Sequence, residues 1–283
     1  MPTPREPFMP AVDAPGRDGE PAWWFAFHGA DLLVAEENDG TVAVPYLADP
    51  RELGLTGIRR QFLGHFGEMT CWSVELDDGS VPPPGMAFQG LRALYGQLAD
   101  DLYAVAGRAA QIVAWDRDHQ FCGRCGNPTE IVGHERARRC PTCGLTAFPR
   151  LSPAIIVLIE KGDQILMARG RGFPERFFGI IAGFVESGET LEEAVRREVR
   201  EEVSLEISEV RYQGSQPWPF PHALMIGFTA AFASGEIEIQ ESELADAGWF
   251  GVDNLPRIPS KLSIARRLVD EWAARHGRIL DAE

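Results

Sequence analysis

The clearest chemistry in this sequence lies in a row of acidic residues on one amphipathic stretch. Thr190 followed three residues later by Glu193 has the form of a capping box, which predicts a helix from Leu191 to about Val203. At about 100° per residue, Ala194, Val195, Val199 and Val203 share one face. Glu193, Arg196, Arg197 and Arg200 fall on the opposite arc, where Glu192–Arg196 and Glu193–Arg197 pairs would each contribute only ~0.2–0.5 kcal/mol. Glu198 and Glu202 instead fall inside the apolar stripe, one turn apart, with Glu201 at its margin. Carboxylates placed so repel each other and are costly to desolvate unless paired. A divalent cation removes both penalties. An all-oxygen ligand set suits Mg2+ or Mn2+, which also coordinates phosphate oxygens and water.

A second constellation is sulfur. Cys122-Gly-Arg-Cys125 and Cys140-Pro-Thr-Cys143, fourteen residues apart, offer four thiolates in zinc-ribbon form. Two short knuckles containing Gly or Pro favour tetrahedral Zn2+ over redox-active or merely buried thiols. A closed four-sulfur site leaves no position for water, so this zinc is expected to be structural. A third feature is Ser215–Pro221, SQPWPFP, in which three prolines stiffen the backbone while Trp218 and Phe220 offer flat apolar faces. Composition alone suits a rigid connection packed on a neighbour slightly better than a ligand-binding loop.

The elements that must position these residues can be traced along the chain. With 283 residues and 45% hydrophobic content, the length suits two domains. The 42 acidic and 27 basic residues give a net charge of −15, which excludes non-specific binding to DNA or RNA and obliges an anionic substrate to be bridged by cations. No apolar run approaches the ~20 residues of a membrane span, and the start lacks a signal-peptide core, so a soluble cytoplasmic protein is expected. Residues 1–20, rich in Pro, Gly and charge, read as a mobile arm. Pro21 to Gly85 reads as short strands and turns, and Leu91 to Trp115 as a helix. After the cysteine segment, AIIVLIE, ILMARG, FFGIIAGFVESGE, ALMIGFTAAF and IEIQ read as strands, and Lys261 to His276 as a closing amphipathic helix. No internal repeat of ~20–50 residues is evident, although the N-terminal part has the size of a diverged copy of the C-terminal one.

Gly183, Glu189, Arg197, Glu198, Val199, Glu201, Glu202 and Leu205 reproduce the Nudix box, with Ser204 where the pattern has Gly. A left-handed Ser there costs ~1 kcal/mol. The order of cysteine knuckles, box and SQPWPFP resembles the NADH pyrophosphatases of that family from about residue 90 onward. The resemblance implies an α/β (α+β) fold, a Nudix α/β/α sandwich (151–283) preceded by a zinc ribbon (117–150) and an N-terminal Nudix-like α/β domain (1–116). It implies that Glu198, Glu201, Glu202 and Glu243, with the carbonyl of Ala182, hold Mg2+ or Mn2+. Phe148 and Phe184 would flank a base, ordinary core packing being the alternative reading of both. Glu135, otherwise a surface acid, would line the dinucleotide site with Gln216, Pro217, Trp218, Pro219, Phe220, Pro221, His222, Ala223 and Ala265, and Arg92 would reach it from the N-terminal domain. Ala223 stands where the family usually has Ser. Arg197 is expected to orient Glu189, and Glu201 or Glu202 to act as base. The implied reaction is water attack on the diphosphate of NAD(H), giving nicotinamide mononucleotide and AMP, with removal of NAD caps from RNA 5′ ends as a further activity and a homodimer as the assembly. Two rivals stand beside it: hydrolysis of another nucleoside diphosphate derivative such as ADP-ribose, and a non-enzymatic zinc-ribbon regulator that senses a nucleotide. The second should have lost its box carboxylates, which are intact here.

Overall fold

Short β-branched and aromatic runs separated by Gly, Pro and Asp become strands in both halves of the chain. The computed structural model describes residues 4, 6–16, 19–37 and 40–281. Two units separate at Arg150/Leu151. The first contains β1 (Phe8–Pro10), β2 (Ala22–His28), β3 (Asp31–Glu36), β4 (Val42–Ala43), β5 (Tyr46–Leu47), β6 (Gly57–Phe66), β7 (Met69–Leu76), β8 (Met86–Gly90) and helix α1 (Asp100–Asp118). The cysteine segment follows as a small sheet of β9 (Glu130–Ile131), β10 (Arg138–Arg139) and β11 (Thr146–Ala147). The second unit contains β12 (Ser152–Lys161), β13 (Gln164–Gly170), β14 (Ile181–Phe184), α2 (Leu191–Val203), β15 (Glu206–Trp218), β16 (Ala223–Ser234), β17 (Leu244–Gly251) and α3 (Ile264–Arg275).

In the second unit the strand order is β15-β16-β12-β13-β17, with β12 and β16 parallel and the other pairs antiparallel. Alternation along the strands gives the sheet two apolar faces. Ile155, Val157, Ile226 and Phe228 pack with Val195, Val199 and Val203 of α2, while Ile156, Leu158, Ile165 and Met167 pack with Leu268, Val269 and Trp272 of α3. The expected α/β/α sandwich is the result.

The first unit follows the same path. Its order β6-β7-β2-β3-β8 again has one parallel pair, β2 with β7. The β2–β3 hairpin pairs only near its turn and then admits β4 on β3 and β5 on β2. The β12–β13 hairpin likewise admits Gly179 on Ala168 and β14 on β12. After β14 comes α2, capped by Thr190 and ended by left-handed Ser204 at φ 57°. After β5 comes a 3-10 turn of four residues, Pro50–Leu53, with its own capping box from Asp49 and a left-handed Gly54 at φ 72°. The thirteen-residue α2 thus has a one-turn counterpart, and the N-terminal part is a copy of the Nudix path without its long helix.

Several expectations need correction. Phe8–Pro10, within the supposed mobile arm, pairs with β6, because Phe8 packs edge-on against Phe66 with ring centroids 5.2 Å apart. Residues 1–3, 5, 17 and 18 of that arm lie outside the described residues. The helix expected from Leu91 begins only at Asp100, since Gly96 takes a φ of 77° and the stretch before it forms turns. IEIQ is not a strand. Its amides serve α2 instead, with Glu238 N donating to the carbonyl of Val203 at 3.2 Å and Gln240 N to that of Glu202 at 2.9 Å, so carbonyls left over at the helix end are satisfied. Half of SQPWPFP is strand, with Ser215–Trp218 finishing β15.

The ribbon is fastened to α1 by a buried ion pair between Arg138 and Asp116. Arg138 also donates to Thr129 Oγ1 at 2.8 Å and to the Thr129 carbonyl at 2.9 Å. Arg136 donates to the carbonyls of Ala11 and Phe62, both at 2.8 Å. Removing the acid leaves a buried guanidinium uncompensated. Asp116→Ala is expected to cost about 3 kcal/mol of stability, and denaturant unfolding with an unchanged midpoint would show that the pair does not hold the ribbon.

Candidate active site

The box helix puts its acids where the apolar stripe requires. Glu198 and Glu202 are 9% and 6% exposed, among Ala194, Val195, Val199 and Val203, while Glu201 lies at the margin and is exposed. Strand β14 brings Gly183 against Glu198, and a Cβ at Gly183 would come within 1.9 Å of its carboxyl carbon. The box glycine is therefore the space the carboxylate occupies. Glu243 follows the 236–240 segment that hugs the end of α2.

Arg197 organises this group. Its Nε and Nη2 grip Glu189 at 2.6 and 3.0 Å, Nη1 donates to Glu198 at 2.9 Å and to Glu201 at 2.8 Å, and Nη2 donates to the carbonyl of Phe184 at 2.9 Å. Those five bonds use all five donors of a guanidinium. Arg197 is thus a positioning residue with nothing left over for a ligand, and it raises the order of β14, the following loop and α2 together. Helix phase alone had put it on the outer arc paired with Glu193. Instead the side chain curls back to the acids, and Glu193 accepts from Thr190 N at 2.8 Å as part of the cap.

The charge distribution that results is uneven. The Arg197 bond to Glu189 lowers that carboxyl, and burial raises Glu198 against the opposing pull of Arg197. Glu202 has no such compensation: burial, then Glu198, Glu243 and Glu201, push it up to about 8. A carboxylate this deep among three other acids needs a proton or a cation. The donors are all hard oxygens, so the residues present fit Mg2+ or Mn2+.

Among the described residues, the four cysteines form the group whose ligand atoms all lie within 4.8 Å of one another. Cys122 and Cys143 Sγ are 3.5 Å apart, as are Cys125 and Cys140. The knuckles are alike, with Gly126 N donating to the Cys122 carbonyl and Gly144 N to that of Cys140, both glycines at φ 74°. The side chain of Asn127 bonds the Cys125 sulfur and brings that thiol down to about 6. Four converging sulfurs, one already inclined to the thiolate, fit Zn2+. Cys71, the fifth cysteine, is fully buried on β7, where burial pushes its thiol up and leaves it a packing residue.

The remaining expected site residues divide between the units. In the second, Phe184 holds its ring 60% exposed at the end of β14, which rules out core packing. Trp218 and Phe220 meet edge to face at 5.1 Å, and Pro217, Pro219 and Pro221 frame them. Gln216 is engaged structurally: its Nε2 donates to the Leu262 carbonyl and its Oε1 accepts from Ile264 N, both at 2.7 Å, tying the loop to the start of α3. His222 Nδ1 lies 3.1 Å from Ser152 Oγ. Ala223 and Ala265 are buried, so backbone is what they present. The Ala182 residue is exposed on β14. In the first unit Arg92, Glu135 and Phe148 are all exposed, Phe148 by 58% and Glu135 beside His134 at 3.3 Å. Ser152 escaped the sequence reading, since it carries no periodicity or motif signal, and the role of the 237–240 backbone was hidden by its strand-like composition.

Comparison with known proteins follows this geometry. Residues 149–272 match the model of the NUDIX domain, 21–115 that of the NADH pyrophosphatase-like rudimentary NUDIX domain, and 117–148 that of the NADH pyrophosphatase zinc ribbon domain. The chain is similar to a protein of Stutzerimonas stutzeri named NAD-capped RNA hydrolase NudC, 46% identical over 80% of this chain and 81% of that one. Proteins of the same name from Pseudomonas aeruginosa PAO1 and Pseudomonas fluorescens Pf0-1 are 47% and 46% identical, over 75% and 90% of this chain and 76% and 91% of theirs.

Two outcomes are expected. Gly183→Ala should displace the Glu198 carboxylate at little cost in melting temperature while weakening Mg2+ binding by about 10–100-fold; calorimetry giving the parent affinity would show that the gap is not needed. In metal-free protein, Glu202 titrates at about 8 when folded against an ordinary 4.5. Between those values the folded chain holds the extra proton, so this group makes stability fall as pH rises. Glu202→Gln should remove that slope and melt above the parent at about pH 8 in chelator, by about 2–4 °C per kcal/mol relieved. Identical melting profiles from pH 5 to 8 would contradict the assignment.

Proposed function

The chain belongs to the Nudix family, in its zinc-ribbon NADH pyrophosphatase branch, and from that premise we propose that it hydrolyses the diphosphate of NAD(H) to nicotinamide mononucleotide and AMP and removes NAD caps from RNA 5′ ends. It is a hydrolase of phosphoric anhydrides. The observation carrying the reading is the Glu198–Glu202 pair, buried and one turn apart with Glu201 and Glu243 beside it. In this reading Glu198, Glu201, Glu202, Glu243 and the carbonyl of Ala182 hold Mg2+ or Mn2+, which when bound neutralises diphosphate charge and acidifies water. Glu202 takes the proton of the attacking water, a role favoured over Glu201 by the tie of Glu201 to Arg197. Arg197 and Glu189 fix the helix against β14.

The exposed Phe184 ring and the Trp218–Phe220 pair offer apolar faces to a base. Gln216 holds the Pro217–Ala223 turn to α3, and His222 is steadied by Ser152. We assign Ala265 to the same dinucleotide site, and Zn2+ to Cys122, Cys125, Cys140 and Cys143. Residues 1–116, 117–150 and 151–283 are taken as the rudimentary Nudix, ribbon and catalytic domains. We further propose a homodimer and a cytoplasmic location. Among the described residues no helix is long and apolar enough to cross a membrane.

Product analysis tests the reaction. NADH with Mg2+ should yield nicotinamide mononucleotide and AMP, chelator should abolish both, and Glu202→Gln should slow turnover by about 10²–10⁴-fold. Faster turnover of ADP-ribose than of NADH would move the assignment to that substrate, and undiminished turnover by the Gln variant would remove the catalytic role.

A further inference from the structure

The first unit has one 3-10 turn where the second has α2, so the sheet face that α2 closes must be closed there by other means. In the second unit, Val157 lies in register with Phe228 on that face, beneath the valines of α2. In the first, the register partners are Trp24 and Trp72, stacked with centroids 5.9 Å apart and planes 20° from parallel. Two indoles thus fill part of the volume a helix would occupy, with Leu55 and Val74 beside them. The remainder is a pocket of about 410 Å³, walled by Trp24, Leu55 and Val74 and rimmed by Asp49, Arg51, Arg59 and Arg60.

The rim is positive in a chain whose net charge is −15. Arg51 grips Asp49 through Nε and Nη2, both at 2.8 Å. Arg59 holds Glu75 through the same two nitrogens, with Nε at 2.8 Å. Both pairs leave the Nη1 edge of the fork out of the bond. Arg60 lies over the Trp72 ring at 5.3 Å. Arg59 and Glu75 pair on the sheet face opposite Arg60 and Val74, so the guanidiniums turned to the pocket are Arg51 and Arg60, both exposed, against the one carboxylate of Asp49. A volume of this size falls within the ~300–1,000 Å³ of small-molecule pockets. Arginine forks match phosphate geometry, and an indole wall suits a base.

We propose that this pocket binds the phosphate of a nucleotide, held by Arg60 and the Nη1 edge of Arg51, with the base against the apolar wall of Trp24, Leu55 and Val74. The site lies wholly within the first unit and does not depend on the reaction assigned above. The same phosphate chemistry has two sources, a free mononucleotide and the phosphodiester of an RNA chain.

Calorimetry on the full-length, metal-free protein separates them, with AMP and a 5′-hydroxyl RNA tetranucleotide as probes. At least one probe should bind at one site per chain, weakened on the order of tenfold or more by Arg60→Glu and by Arg51→Glu and untouched by Trp218→Ala in the SQPWPFP loop. Binding of AMP supports the site with a mononucleotide as occupant; binding of the RNA alone supports it with the chain as occupant. Arg60→Glu should leave NADH turnover and melting temperature at parent values, which separates a lost site from a lost fold. Failure of both probes to bind, or binding that survives both arginine variants and disappears in Trp218→Ala, overturns the proposal.

Discussion

Like charge confined at the end of α2 governs the second unit. Glu198 and Glu202 enter the apolar stripe, Glu201 and Glu243 stand nearby, and one guanidinium serves as the organic counter-charge. Helix propensity and the valine stripe cannot by themselves hold acids in that position, because several kcal/mol of desolvation oppose each one. The surrounding geometry answers that strain at separate points. Gly183 gives Glu198 room, the Thr190 cap fixes where the helix starts, and left-handed Ser204 ends it. The 236–240 backbone then closes the helix end and delivers Glu243 to the same place.

The two units show what happens to one strand path with and without that helix. With α2, the sheet face is sealed by valines and the acids ride on its edge. Without it, the face needs larger side chains, and Trp24 and Trp72 take the register positions held elsewhere by Val157 and Phe228. Shortening the helix to Pro50–Leu53 also leaves too little helix there to carry acids four residues apart, as Glu198 and Glu202 are on α2.

Periodicity made α2 legible to the residue, and the burial of Glu198 and Glu202 follows from its phase. Strands whose burial alternates or runs continuously, such as AIIVLIE, were equally open to reading. β15 was not, because its pattern of exposed residues and its bulges at Ser208/Arg211 and Tyr212/Gly214 hide the two-residue period. IEIQ has a strand's composition, yet a helix end with unsatisfied carbonyls competes for its amides and wins. A wheel projection places Cα atoms, not the ends of long side chains, which is why Arg197 reads as solvent-facing and is found among the acids. Phe8 shows the same limit in the first unit: a Pro-rich average conceals one aromatic anchor.

The arginines of α2 carry the argument one step further. Arg196 donates to the Glu192 carbonyl, Arg197 has all five donors engaged, and Arg200 is bound to Glu206 through two nitrogens. Arg197, the guanidinium that touches the box acids, is committed wholly to the protein's own oxygens, in a chain whose overall field already repels anions. A diphosphate approaching those acids therefore receives no donor from it. Its charge has to be balanced by metal gathered on the carboxylates, so the acids that repel one another are the same groups that make an anionic substrate admissible once a divalent ion is bound.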